Sequence, residues 1–141
     1  MDKALNYLSL MRKAGACAVG ETDCGIACRE GKVKLLLLAS DASDNAQARA
    51  KGFVYGRKIP MVQLPYTKLE LSGRLGKGAI SMMALYDLGF AVAFMKALDT
   101  DGTHAAVIAE LEEKLAQQNK RKAEQKAHER NKKLGKRRTK A

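Results

Sequence analysis

Apolar residues fall along the first hundred positions in short blocks, some at helical spacing and some nearly continuous, each closed by glycine or a polar turn. Leu5, Leu8 and Met11 form a helical stripe that Gly15 ends. A short apolar link, Cys17-Ala18-Val19, leads to Gly20. A second helix is predicted from about Thr22 to a stop before Gly31, which suits the left-handed position after a helix end. Val33-Lys34-Leu35-Leu36-Leu37-Leu38-Ala39 is too short for a typical helix and too uniformly apolar for a surface strand, so it reads as a buried central strand. Ser40 to Asn45 offer several helix caps. A helix over Ala46–Tyr55, a strand over Met61–Leu64, a helix opened by the capping box of Thr67 and Glu70, a strand over Ile80–Tyr86 and a helix over Phe90–Leu98 capped by Asp87 complete the series. The alternation predicts an α/β sandwich with helices covering both faces of a small mixed sheet in residues 1–102.

After Gly102 the pattern changes. Val107, Ile108, Leu111 and Leu115 predict one amphipathic helix over 103–117. From Gln118 onward eleven basic residues stand against Glu124 and Glu129, with a single leucine, so residues 118–141 cannot form a core and are expected to be a disordered basic tail, or helix only on binding.

Charge sharpens this division. The 141 residues include 26 Lys+Arg and 15 Asp+Glu, a net +11. Residues 1–102 carry 14 basic and 10 acidic side chains, net +4, whereas residues 103–141 carry 12 and 5, net +7. Mobile cations on the tail neutralise phosphates and release counterions, which gives sequence-tolerant affinity for nucleic acid. Lys120, Arg121, Lys122, Lys132, Lys133, Arg137 and Arg138 are the candidate phosphate contacts. An acidic protein partner or a solubilising role are the alternatives for this segment. The 5% aromatic content and the absence of Trp argue against recognition by a broad stacking platform.

Little in the folded part points to catalysis. Both histidines, His104 and His128, lie beyond residue 102. Asp23, Asp41, Asp44 and Asp87 each fall at an expected helix start, where capping accounts for them. Cys17, Cys24 and Cys28 are odd in number and match no paired zinc spacing, so they read as buried or half-buried free thiols, with no metal and no cofactor expected. Gly73, Gly76, Lys77 and Gly78 resemble a phosphate loop only superficially: no glycine stands five residues before Gly76, and Gly78 occupies the Ser/Thr position. They read as a Gly-rich link in which Lys77 faces phosphates. No run approaches the roughly 18 apolar residues of a membrane span, and the amino terminus lacks a charged-then-apolar leader, so a cytoplasmic, membrane-independent, non-enzymatic monomer is expected.

The loop from Gly20 into the second helix carries the clearest candidate chemistry. A helix amino terminus offers unpaired N–H groups to phosphate or base acceptors, and Gly20 permits close approach. Thr22 can donate or accept, and Asp23 or Glu21 can accept from a base amino or imino group. A capped helix facing solvent is the plainer alternative.

Several ordered strings resemble one family. Gly20-Glu21-Thr22-Asp23 through Gly31, Leu35-Leu36-Leu37-Leu38-Ala39-Ser40-Asp41-Ala42, Ile59-Pro60-Met61-Val62, Leu69-Glu70-Leu71 through Gly76-Lys77, and Asp87-Leu88-Gly89-Phe90-Ala91 span roughly residues 2–99. They resemble the bacterial YlxQ branch of the kink-turn-binding ribosomal protein superfamily, whose archaeal member is called L-seven-Ae. The resemblance implies a three-layer α/β/α sandwich with a small mixed four-stranded sheet that grips a sharply kinked, structured RNA, with ribosomal RNA the implied target and the ribosome or translation factors as further partners. It carries RNA contacts onto Gly20, Glu21, Thr22 and Asp23 in the first loop and Lys77, Gly78, Ala79 and Ile80 in the second. Arg29 and Lys32, together with Arg12 and Lys13, are expected to add backbone contacts from the same end. The archaeal-type loop has Asn, then Glu, then Lys three residues on; the matching positions are Thr22, Asp23 and Ile26. A translation-associated protein adaptor without specific RNA readout is the competing expectation.

Overall fold

The structure, a computed structural model, describes residues 3–76 and 78–139, with side chains described through residue 132. In chain order the elements are α1 (Lys3–Lys13), β1 (Cys17–Val19), α2 (Glu21–Arg29), β2 (Leu35–Leu38), α3 (Asp44–Val54), β3 (Met61–Gln63), α4 (Lys68–Leu75), β4 (Met82–Leu85), α5 (Leu88–Leu98) and α6 (Ala105–Thr139). The strands form one mixed sheet in the order β1-β4-β2-β3: β4 is antiparallel to β1 and β2, while β2 and β3 are parallel. Helices α2 and α3 pack on each other, and α1 packs on α4 and α5, giving the expected three layers.

Local chemistry accounts for the elements. Every residue of the central strands, Leu35–Leu38 and Met82–Leu85, is buried, because helices cover both faces and no alternation with polar residues is needed. Helix α5 lies between α1 and α6, which explains why Leu88, Ala91, Val92, Phe94 and Met95 spread apolar surface over much of its circumference. Its start is capped by Asp87, whose carboxylate accepts from Phe90 N at 2.9 Å. The Thr67/Glu70 capping box opens α4, and the Asp41 carboxylate also accepts from Lys68 N at 2.8 Å. Ser43 is the cap of α3.

Two expectations change. Cys17-Ala18-Val19, read as a link, is the edge strand β1, with Cys17 opposite Leu85 and Val19 opposite Met83. The segment from Gln118, expected to be disordered, continues α6 as helix through Thr139; Lys140 and Ala141 lie outside the described residues. Val107, Ile108, Leu111 and Leu115 dock the first turns of α6 on the core, and among the described side chains no residue beyond Leu115 joins it. The continuation rests on composition: Ala, Glu, Gln, Lys and Arg are strong helix formers, no proline interrupts them, and an already docked helix removes the nucleation step.

Close packing of α2 on α3 rests on Gly25, where an added β-carbon would stand 2.9 Å from the Phe53 ring. Gly25→Ala gains up to about 1 kcal/mol in helix propensity but forces the ring from its seat, an overpacking cost of about 1–3 kcal/mol. A net loss of about 1 kcal/mol is expected, read as a lower urea midpoint at unchanged m-value.

Candidate functional site

The turn from β1 to α2 is made by Gly20, at φ 98° and ψ 157°, a region that only glycine occupies without strain. Gly20 N donates to the Met82 carbonyl at 2.9 Å, so the start of α2 lies beside the start of β4. The Gly78-Ala79-Ile80 loop enters β4 at this same sheet end. Gly78 and Ala79 are exposed, and Ile80 is a buried anchor that enters the core. The two loops singled out from the sequence are thus brought together, although Lys77 lies outside the described residues.

A side-chain brace links them. The Glu21 carboxylate pairs with the Arg49 guanidinium of α3 at 2.8 Å and accepts from the Ser81 hydroxyl at 3.5 Å. Neither Arg49 nor Ser81 stands out in the sequence; Arg49 sits 28 positions from Glu21, and only the α2–α3 packing joins them. Glu21 is half-buried, whereas Thr22 and Asp23 are exposed and no hydrogen bond or ion pair occupies their side chains among the described residues. No side chain caps α2, so the N–H groups of its first turn also point outward unengaged by a cap. Asp23 opens onto a groove of about 380 Å³ between β1 and α2, floored by Ala18, Val19 and Ala27. Ile26, at the position where the archaeal-type pattern has Lys, is 42% exposed on this groove.

Arg29 does not join this end, and Lys32 lines the far part of the groove onto which Asp23 opens. Nine residues of α2 at 1.5 Å per residue separate Glu21 from Arg29 by about 12–13 Å along the axis. Lys32 falls near Tyr86 and Cys17, at the end of the sheet where Cys17 pairs with Leu85, and its ammonium is paired with Glu30 at 2.9 Å, which holds its pKa above the usual lysine value. Arg12 lines the same far end of the groove, with one buried guanidinium nitrogen lacking a hydrogen-bond partner.

The cysteines do not build a reactive centre. Cys24 and Cys28 are buried, Cys17 is half-buried, and desolvation raises the pKa of each, so the thiols stay protonated; the positive Arg12 only partly offsets this at Cys17.

Along α6, Lys120, Arg121, Lys122 and Lys132 are exposed on the helix, while the side chains of Lys133, Arg137 and Arg138 lie outside those described. Among the described residues no helix is long and apolar enough to cross a membrane.

No family model matches the chain. A curated relative, the RNA-binding protein YlxQ of Enterococcus faecium, is 29% identical over 90 residues, covering 64% of this chain and 85% of the relative. A solved structure of a protein of unknown function from Bacillus halodurans C superposes with a TM-score of 0.63 at 24% identity, covering 70% of this chain and 99% of that one, a likeness of fold. The α/β core thus has a fold seen elsewhere, and in sequence the chain is similar to YlxQ, with a long basic helix running on from that core.

Proposed function

We propose that the chain is a non-enzymatic RNA-binding protein that recognises a structured, kink-turn-like RNA, with ribosomal RNA as the target class and the cytoplasm as its compartment. The observation that carries this reading is the joining of two loops by Glu21, Arg49 and Ser81, which leaves Thr22, Asp23 and the first N–H groups of α2 facing outward together. A helix amino terminus accepts the phosphate that a sharp backbone bend brings close. The Asp23 carboxylate is an acceptor for guanine imino and amino protons, and such a contact does not depend on attraction to phosphate. Exposed Gly78 and Ala79 let an RNA backbone approach without side-chain obstruction. Similarity to a protein named for RNA binding supports the same assignment.

Within this reading Glu21 is the brace and Thr22 and Asp23 are the readers. The basic helix supplies affinity through Lys120, Arg121, Lys122 and Lys132, with Lys133, Arg137 and Arg138 extending the same charge run. The exposed Ile26 replaces a phosphate contact by an apolar one on the groove beside Asp23.

The test is a comparison of three ligands at several salt concentrations: a kink-turn RNA, an unkinked RNA duplex of equal length, and a DNA duplex. The kinked RNA is expected to bind about tenfold or more tightly than either duplex once salt has suppressed the tail contacts. Equal affinity for all three throughout the series would remove the shape-recognition component.

A further inference from the structure

At the opposite end of the sheet, the end of α2, the turn between α3 and β3, and α6 enclose a cleft of about 530 Å³. Arg29, Lys34, Arg57, Lys58, Lys114 and Arg121 line it, and no carboxylate does. Lys114 is partly engaged, donating to the Lys58 carbonyl at 2.6 Å and pairing with Glu110 at 3.3 Å. Arg57 donates to the Phe53 carbonyl at 3.2 Å. Arg29, Lys34, Lys58 and Arg121 have no carboxylate partner among the described residues. Cations gathered from three distant segments repel one another, and packing alone gives no reason to collect them.

The backbone adds a second observation. Lys58, at φ 54°, is the one non-glycine residue with positive φ among those described. A β-carbon is disfavoured there, so a turn selected for folding alone takes glycine or asparagine. A lysine kept at a strained position beside a ring of cations points to a ligand.

Continuity decides which ligand. Lys114, Gln118, Arg121, Gln125, His128 and Lys132 follow one another at spacings of three or four and share one face of α6, with no acidic residue among them. At 1.5 Å per residue this stripe runs about 27 Å from the cleft. A small anion would occupy one corner of it, whereas a polyanion uses its length. Tyr55, in the turn two residues before Arg57, is 84% exposed, and an exposed ring suits bases, which an acidic polypeptide lacks.

We propose that this cleft and the adjoining face of α6 are a second RNA site, holding the phosphodiester backbone of a segment other than the one at the Gly20 end. The protein then bridges two parts of a folded RNA, a statement that rests on the RNA reading of the Gly20 end, while the cleft's own contact is tested separately.

The experiment uses the full chain, a short-armed kink-turn RNA, the same RNA with one arm extended by about ten base pairs, and the corresponding unkinked pair, each over a salt series. The extension is expected to raise affinity and steepen the salt dependence. Lys34→Ala/Arg57→Ala/Arg121→Ala removes that gain and flattens the slope of log K against log salt by about 2–3, with the preference for the short kinked RNA unchanged. A matched variant, Lys3→Ala/Lys51→Ala/Lys68→Ala, loses the same charge away from the cleft and from α6 and keeps most of the gain. Equal losses from both triples would overturn the site in favour of diffuse attraction, as would a cleft variant that retains the full gain. Polyglutamate binding that the cleft variant loses, with RNA binding intact, overturns the choice of RNA. Absence of any kinked preference in the wild type strikes the Gly20 reading alone, because the cleft is scored on the extension. Circular dichroism checks folding, and Arg57→Ala, expected to flatten the slope by about 1, carries the test by itself.

Discussion

Thr22→Ala/Asp23→Ala is expected to abolish the preference for kinked RNA, a fall of about tenfold or more in the affinity ratio. Binding to an unkinked duplex at low salt should change by less than about threefold. The magnitude follows from two lost hydrogen bonds, one of them to a charged acceptor, at about 1–3 kcal/mol together. Both side chains are exposed and carry no intramolecular hydrogen bond among the described residues, so their removal leaves the fold with nothing unsatisfied. Glu21→Ala behaves differently. It frees Arg49 and the Ser81 hydroxyl, loosens one loop against the other, and lowers the preference by disordering the site rather than by deleting a reader. Asp23→Glu separates reading from bulk: the carboxylate is kept on a longer stem, and partial retention of preference is expected. Unchanged discrimination in the double variant, measured beside an intact unfolding curve, would move recognition away from this loop.

The split between brace and readers shows how far sequence reasoning reaches in this chain. Helix starts were legible because capping chemistry is local: Asp87 and the Thr67/Glu70 pair act within three residues of themselves. The central strands were legible because burial on both faces leaves continuous apolar runs, as at Leu35–Leu38. Three residues of β1 have no such signature, since pairing with Met83, Ala84 and Leu85 makes them a strand. The placing of Arg29 with the Gly20 loop ignored a length already in the sequence: a nine-residue helix carries its last residue to the far end. The basic cleft was invisible for a different reason. Its cations come from positions 29–34, 57–58 and 114–121, each unremarkable alone, and only the seating of α6 assembles them. The segment after Gln118 lacks apolar residues for a core, but the helix docked by Leu111 and Leu115 propagates through it, and that coupling is not written in the segment's own composition.

That docked helix leads to the largest expected effect. Deleting residues 118–141 removes eleven cations and two carboxylates, a change of nine charges out of the net +11. If six to ten of these side chains sit on phosphates, the salt dependence loses a slope of about 5–9, and affinity for any RNA at low salt falls by about 10³-fold or more. Stability should hardly move, because every residue of α6 that joins the core ends at Leu115 and none of the deleted side chains is buried among those described. The truncated chain therefore keeps its unfolding midpoint and, on the reading given above, its preference for kinked over straight RNA. A helix differs here from a random tail. Its cations, from Lys120 to Arg138, are held at fixed heights along about 27 Å of rod, so breaking the rod while conserving charge is informative. Ala123→Pro removes a backbone donor and bends the helix just beyond the cleft. A mobile polycation would bind as before, whereas a rigid one loses the contacts of Gln125, His128 and Lys132 from the line set by Arg121. A salt slope flattened by about 1 in Ala123→Pro at unchanged net charge, for the Lys132 contact, is the expected result, and wild-type behaviour would show that the helix acts by its charge alone.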